Sequence, residues 1–265
     1  MKFKDFLLWI RLKFCYPLSI TYFIGPLVYG SLFSPRVFVG WLGAFLLITS
    51  GSLMNDARDY HEDMNNPKKK NKPLQKGIIS PETTKKTAFW VWLFGSGMIF
   101  WLMLFNHMLI LPGLGSIGLP VLYFYGKDKP PLDLVCDLLL LPLPVVFGFG
   151  MCGASCPPRF LVGLLVVCTL AYGHDMLYDL SVDKSTTLKV LYIWRPWVPH
   201  AILIGLGGLF VVVEPTWVGW VVGIGYNAVF YYVYYTRRWQ VYVGSTILIP
   251  GLYLVSQLLN MMGVW

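Results

Sequence analysis

The chain has 265 residues, of which 56% are hydrophobic and only 13% charged, with a mean hydropathy of +0.61 and a formal net charge of +8. Soluble domains carry about 25% charged residues, so the composition excludes an ordinary soluble domain. The apolar stretches are of helix length rather than short alternating strands, which argues for a helical membrane bundle over a β-barrel.

In chain order, a basic opening over 1–13 leads into an apolar segment that lacks a small-residue cleavage site and reads as a first anchor, with no cleavable signal peptide. Nine apolar segments are expected in all, at roughly 14–33, 36–54, 86–105, 107–125, 131–152, 159–178, 197–213, 216–236 and 241–262. With the N-terminus placed in the cytoplasm, nineteen of the 21 Lys and Arg residues fall on the cytoplasmic side. Only Arg36 and Arg159 fall opposite. This asymmetry follows the positive-inside rule and predicts nine transmembrane helices with the C-terminus outside. The net positive charge lies on one membrane face, where it favours anionic lipid and polyanionic substrates and gives no reason to expect nucleic acid. Cys152 and Cys156, on the outer side, are spaced for pairing in an oxidising compartment or for simple burial; the five cysteines show no metal-ligand spacing.

The second segment ends in Asn55-Asp56-Ala57-Arg58-Asp59-Tyr60-His61-Glu62-Asp63, and the sixth in His174-Asp175-Met176-Leu177-Tyr178-Asp179-Leu180-Ser181-Val182-Asp183. These two clusters hold more than half of the chain's 13 acidic residues. Asn55, Asp59 and Asp63 recur at i, i+4, i+8, with Asp56 beside them, and Asp175, Asp179 and Asp183 repeat the spacing. Carboxylates stacked on one helix face repel unless a cation lies between them. Hard oxygen ligands suit Mg²⁺, which bridges a few carboxylates to substrate phosphates. The alternative is that both clusters are solvated helix ends paired with nearby lysines.

Between the second and third segments runs a lysine-rich loop closing on Ser80-Pro81-Glu82, an N-cap followed by proline at the first helical position. The loop reads as a solvated positive-inside connection or as a cationic lid over a polyanion. Tyr123 and Lys127, i and i+4 at the cytoplasmic end of the fourth segment, either share a phosphate or form an interfacial tyrosine with a snorkelling lysine. All acidic residues except Glu214 lie at or beyond the cytoplasmic boundary. Ion-coupled transporters carry charge near the midplane, so this polarity disfavours a transporter. It suits an amphiphile with its head at the interface and its tail among aromatic helices. A diphosphate ester held there ionises when Mg²⁺ and basic groups neutralise the departing charge.

These residues resemble the UbiA superfamily of intramembrane prenyltransferases. Asn55, Asp59 and Asp63 are similar to its N-x-x-D-x-x-x-D motif. Asn71-Lys72-Pro73-Leu74-x-x-Gly77-x-Ile79-Ser80 is similar to its N-R-P-L-x-x-G-x-I-S segment, with lysine replacing arginine. Tyr123 and Lys127 match Y-x-x-x-K, and Asp175, Asp179 and Asp183 resemble the second aspartate motif. Arg11-Leu12-Lys13 and the nine-span layout agree.

The resemblance implies an all-α polytopic membrane protein, a single domain over 1–265 with nine transmembrane helices around a central cavity. Cytoplasmic cap loops would cover about 55–85, 126–131 and 174–196. It implies an Mg²⁺-dependent enzyme that moves a polyprenyl group from its diphosphate to an aromatic or other lipophilic acceptor through an allylic carbocation. Two Mg²⁺ ions would be held by Asn55, Asp56, Asp59, Asp63, Asp175, Asp179 and Asp183. Lys72, Arg58, Lys127 and Lys184 would contact the diphosphate, Arg11 would lie on the acceptor side, and Asp59, Asp179, Tyr123 and Lys127 would be the residues most tied to turnover. The host would be lipid, the cell membrane in a prokaryote. The Lys184-Ser185-Thr186-Thr187-Leu188-Lys189 stretch departs from the family's longer loop, which leaves the subclass open. The alternatives are a membrane terpene cyclase, a polyprenyl-phosphate phosphoribosyltransferase-like enzyme suggested by Asn66-Pro67-Lys68-Lys69, and a non-enzymatic transporter or lipid-binding protein.

Overall fold

The computed structural model describes residues 2–64, 70–126, 129–140, 142–178, 187–213, 217–236 and 253–263, and all regular structure among them is helical. The chain divides into two compact units, Met1–Gly126 with Leu143–Cys156, and Lys127–Pro142 with Pro157–Trp265.

The first unit begins with α1 (Phe3–Trp9) and α2 (Leu12–Ile20), followed by a 3₁₀ turn at Thr21–Phe23 and α3 (Ile24–Val28). A continuous span over 14–33 is expected from hydropathy, but the helix tightens at Thr21 and stops at Val28. Two prolines account for this: Pro17 lies inside α2, and Pro26 has no N–H to offer the Tyr22 carbonyl. That carbonyl faces Gly148, where a Cβ would stand only 1.9 Å from its oxygen.

Ser34 in extended conformation and Pro35 at the first helical position start α4 (Pro35–Arg58), which runs straight into the first acidic cluster. After α5 (Tyr60–Asp63) and the lysine loop, α6 (Pro81–Met103) opens as the sequence predicts. The Ser80 hydroxyl accepts from the Thr83 N–H at 3.1 Å. A 3₁₀ turn at His107–Leu109 leads into α7 (Ile110–Gly126). Asn106 caps that turn by accepting from the Met108 N–H at 3.0 Å, while its amide donates to the Gly150 carbonyl at 2.8 Å. The unit's core gathers Tyr22, Val37, Leu47, Ile99, Leu102, Leu109 and Phe147.

The predicted fifth segment forms two helices, α8 (Leu132–Leu140) in the second unit and α9 (Pro142–Met151), most of which lies in the first. The second unit continues with α10 (Pro158–Tyr178), α11 (Thr187–Trp194), α12 (Trp197–Val213), α13 (Trp217–Trp220), a π turn at Val221–Gly225, α14 (Tyr226–Thr236) and a last helix over 253–261. Phe160 and Phe210 pack on Tyr253, with ring centroids 6.1 and 5.1 Å away. Helix α11 falls inside the stretch expected as a cap loop. Much of the expected ninth segment lies outside the described residues.

Among the described residues, Pro35–Arg58 and His107–Gly126 are long and apolar enough to cross a membrane, and Leu132–Leu140 with Pro142–Met151 adds a third if the pair counts as one span. Cys15–Val28, Pro158–Leu170 and Trp197–Val212 are shorter apolar helices. Large apolar side chains stay uncovered along α6, including Phe89, Trp90, Phe94 and Trp101. Exposed aromatic surface of this extent suits contact with lipid rather than water. Cys152 and Cys156 are free thiols, with the Cys152 sulfur 3.1 Å from the Ser31 hydroxyl.

Candidate active site

The last turn of α4 carries Asn55 and Asp56, and Asp59 ends the helix with φ −82° and ψ 4°. The break is local. The Asp59 N–H still donates to the Asn55 carbonyl at 2.9 Å and the Asp63 N–H to the Asp59 carbonyl at 2.8 Å, so the helical rise continues to Asp63. All three aspartates are buried, with Asp56 and Asp63 each 3% exposed and Asp59 8%. Solvated helix ends would look different, and the first cluster is therefore not one.

Buried carboxylates demand compensation. Lys72 supplies it: its Nζ lies 2.7 Å from Asp56 Oδ1 and 3.0 Å from Asp63 Oδ2. Arg11 adds a second cation, with one guanidinium nitrogen 3.8 Å from the same Asp56 oxygen. Arg11 sits at the start of α2 in left-handed backbone conformation, φ 50° and ψ 42°. That region is uncommon for a residue other than glycine. Backbone strain is thus tolerated where a positive charge is delivered to the cluster.

The loop that carries Lys72 is held from below. Leu74 is 2% exposed and packs with Trp9, Leu53 and Ala88, and the Trp9 indole donates to the Thr84 hydroxyl at 3.1 Å. The loop closes on itself: Lys76 N–H donates to the Lys72 carbonyl at 3.1 Å and Ile78 N–H to the Pro73 carbonyl at 3.0 Å. Gly77 takes φ 68°, which a side chain at this position would resist. The P-L-x-x-G pattern is therefore a compact turn, anchored by buried Pro73 and Leu74, that presents Lys72 to two aspartates.

Arg58, expected at the phosphates, reaches the end of α7. Its guanidinium donates to the Phe124 carbonyl and lies 5.8 Å from the centre of the Phe124 ring. The contact joins the end of α4 to the end of α7, next to half-buried Tyr123. Lys127 lies outside the described residues, as do Asp179, Asp183 and Lys184; Asp175 falls in the last turn of α10.

The donor set consists of carboxylate and amide oxygens, the hard type that Mg²⁺ takes. Among the described residues no three His, Cys, Asp or Glu side chains gather tightly enough to enclose an ion. Mg²⁺ needs no such cage, since it binds through one or two carboxylates and keeps waters and substrate phosphates as its other ligands. Asp56 and Asp63 already converge on one cation, the ammonium of Lys72. The residues present fit a divalent ion.

The sequence matches the UbiA prenyltransferase family over residues 18–256. The chain belongs to that family. It is thereby a prenyltransferase by class, and the all-helical architecture agrees. Solved structures of UbiA homologues share the fold. One from Archaeoglobus fulgidus, bound to GPP and Mg²⁺, matches with a TM-score of 0.68 at 15% identity, covering 98% of this chain and 99% of that one. A digeranylgeranylglyceryl phosphate synthase matches with a TM-score of 0.67 at 18% identity, covering 98% of each chain. An apo homologue from Aeropyrum pernix K1 matches with a TM-score of 0.65 at 15% identity, covering 93% and 97%. Compared with proteins of curated function, the chain matches none.

Within the second unit of this UbiA-family chain, one polar group escapes the sequence reading. His200, one turn into apolar α12, has its Nδ1 3.1 Å from the Tyr231 hydroxyl on α14, and its ring centre lies 6.4 Å from that of Tyr192 on α11. A titratable residue inside an apolar segment is the signal that marks such a site.

Proposed function

We propose that the protein is an Mg²⁺-dependent intramembrane transferase that moves a polyprenyl group from its diphosphate to an aromatic or other lipophilic acceptor. The observation that carries this reading is the meeting of two buried carboxylates, Asp56 and Asp63, on one cation at the end of a membrane-length helix. Support also comes from the A. fulgidus homologue of the same fold, which is bound to GPP and Mg²⁺.

In this reading Asn55, Asp56, Asp59 and Asp63 hold one ion, and Asp175, Asp179 and Asp183 hold a second. The ions, when bound, neutralise charge that develops on the departing diphosphate. Lys72, Lys127, Lys184 and Arg58 add positive charge around the same oxygens. The bond between prenyl C1 and the diphosphate oxygen breaks with its electron pair on oxygen. C1 then bonds to the acceptor, which releases a proton. Tyr123 lies at the reacting end, and Arg11 steers the acceptor. The aromatic-rich helices keep water from the carbocation. The proposed frame is a single nine-span domain in a multi-pass arrangement, with the N-terminus cytoplasmic, as the one-sided distribution of Lys and Arg favours.

Purified protein incubated with geranylgeranyl diphosphate and Mg²⁺, with and without candidate acceptors, tests this reading through diphosphate release and organic products. Acceptor-dependent release is expected. Hydrocarbon formed without acceptor would make the protein a cyclase. Transfer from phosphoribosyl diphosphate to a polyprenyl phosphate would make it a phosphoribosyltransferase.

A further inference from the structure

Asp56 and Asp63 are nearly sealed from solvent, yet two such carboxylates cannot sit together without a cation. In the arrangement described, that cation belongs to the chain. Lys72 spans both acids from a short loop anchored by buried Pro73 and Leu74 and by half-buried Ile79, while Lys70, Asn71, Lys76, Gly77 and Ile78 stay exposed. We propose that Lys72 is a tethered counter-ion, which occupies the Asp56–Asp63 position until a divalent ion displaces it, so that metal entry frees the turn over 70–79. This rests on the reading of Asp56 and Asp63 as metal ligands.

The chemistry of lysine favours such a role. An ammonium is a compact, strongly hydrated point charge on a flexible stem, whereas arginine grips carboxylates through a rigid fork. The N-K-P-L segment carries lysine where the related pattern has arginine, so the charge here can leave its carboxylates more readily. An internal cation lowers the apparent affinity for an external one by the fraction of time it holds the site. Once displaced, it needs a new anionic partner, and a diphosphate provides one. Metal and diphosphate then assist each other's binding, and the coupling is reciprocal. The metal alone then binds weakly and the pair binds well, so the turn is released by metal alone only when the metal is in excess.

The test titrates full-length protein in lipid nanodiscs with Mn²⁺ and reads free Mn²⁺ by electron paramagnetic resonance. Wild type is compared with Lys72→Met, Lys72→Gln and Asp56→Asn, all without diphosphate. Both Lys72 variants are expected to bind Mn²⁺ at least about tenfold more tightly than wild type, the change that corresponds to ~1.4 kcal/mol. Unchanged or weaker binding in both, with wild-type binding saturable and reduced by Asp56→Asn, overturns the counter-ion role and leaves the metal site standing. Wild type that binds no better than Asp56→Asn overturns the metal site itself. A second measurement needs no variant. Trypsin cleavage of wild type after exposed Lys70 and Lys76 is expected to speed up several-fold in Mg²⁺ over NaCl of equal ionic strength; an unchanged or slower rate counts against release of the turn.

Discussion

Asp56 and Asp63 stand seven residues apart, and their carboxylates meet on one ammonium, 2.7 and 3.0 Å from Lys72 Nζ. Two helical turns separate them, so they share a face although Asp59 interrupts the helix between them. Lys72 is 24% exposed at its side chain and the two acids are about 5% exposed or less, so solvent screens the trio only partly. In metal-free protein, Asp63→Asn and Lys72→Met are each expected to lower stability by ~1–3 kcal/mol, the cost of leaving a buried polar group unsatisfied. Because the two residues share one interaction, the double variant should lose less than the sum, with a coupling of ~0.5–3 kcal/mol. Chemical unfolding in detergent measures all four corners of the cycle. Strict additivity would show that the ammonium and the Asp63 carboxylate do not sense each other.

The approach of Gly148 to Tyr22 gives a sharper stability prediction. Pro26 leaves the Tyr22 carbonyl without a helical donor, and an alanine Cβ at 148 would meet that oxygen at 1.9 Å. The obstacle is backbone, which cannot swing away as a side-chain tip can. Gly148→Ala should therefore cost at least the ~1–3 kcal/mol typical of overpacked cores. Gly118→Ala, at an exposed position in α7 where a Cβ meets nothing within 4 Å, serves as the control and should be neutral or slightly stabilising. A thermal melt that ranks the two equally would refute the close approach.

At the start of α6, the hydroxyl of Ser80 satisfies the Thr83 N–H, and Thr84 just inside the helix receives the Trp9 indole. Ser80→Ala removes the cap and should cost ~1 kcal/mol. Trp9→Phe deletes one buried hydrogen bond and leaves the Thr84 hydroxyl oxygen without the N–H it accepts from, although its own O–H still donates to the Ser80 carbonyl, with a loss of ~1–3 kcal/mol. The second change also loosens the cluster that clamps Leu74, so it should raise trypsin cleavage after Lys70 and Lys76 while Ser80→Ala raises it less. Equal cleavage in the two variants would separate the Trp9 cluster from the Lys72 turn.

Much of this was legible from residue order because the signals are local. Ser80-Pro81 marks a helix start by its own backbone chemistry, and the 36–54 hydropathy run is long enough to leave no other structure. The acidic cluster was legible as a set, but its internal pairing was not. Spacing alone suggested the row Asn55, Asp59 and Asp63, whereas the shared cation joins Asp56 to Asp63, because a third element, the turn around Leu74, decides where Lys72 reaches. Arg58 shows the same limit: its bond to the Phe124 carbonyl depends on the packing of α7 on α4, which residue spacing does not announce. The breaks in the first and fifth segments were hidden because hydropathy averages over Pro17, Pro26 and Pro142 without registering the missing N–H groups. His200 went unread for a related reason, since one titratable ring hardly changes the mean of an apolar window.

Cys156 allows the proposed topology and the local chemistry to be tested in one experiment. It lies in the connection between α9 and α10, on the side expected to face away from the cytoplasm, and burial pushes its thiol up from 9.0 to about 11. The thiolate is the reactive form. Below pH 11 its fraction grows about tenfold for each pH unit, so alkylation should climb steadily from pH 8 to pH 10 without levelling. An ordinary thiol would begin to saturate near pH 9. A variant that keeps Cys156 and replaces Cys15, Cys136, Cys152 and Cys168 by alanine isolates this signal. An impermeant maleimide added outside right-side-out vesicles should label it slowly at pH 8 and about tenfold faster at pH 9. Labelling only after the vesicles are opened would place the α9–α10 connection inside and remove the nine-span arrangement. Labelling from outside with a plateau near pH 9 would keep the topology but show that the thiol is not held in an apolar environment.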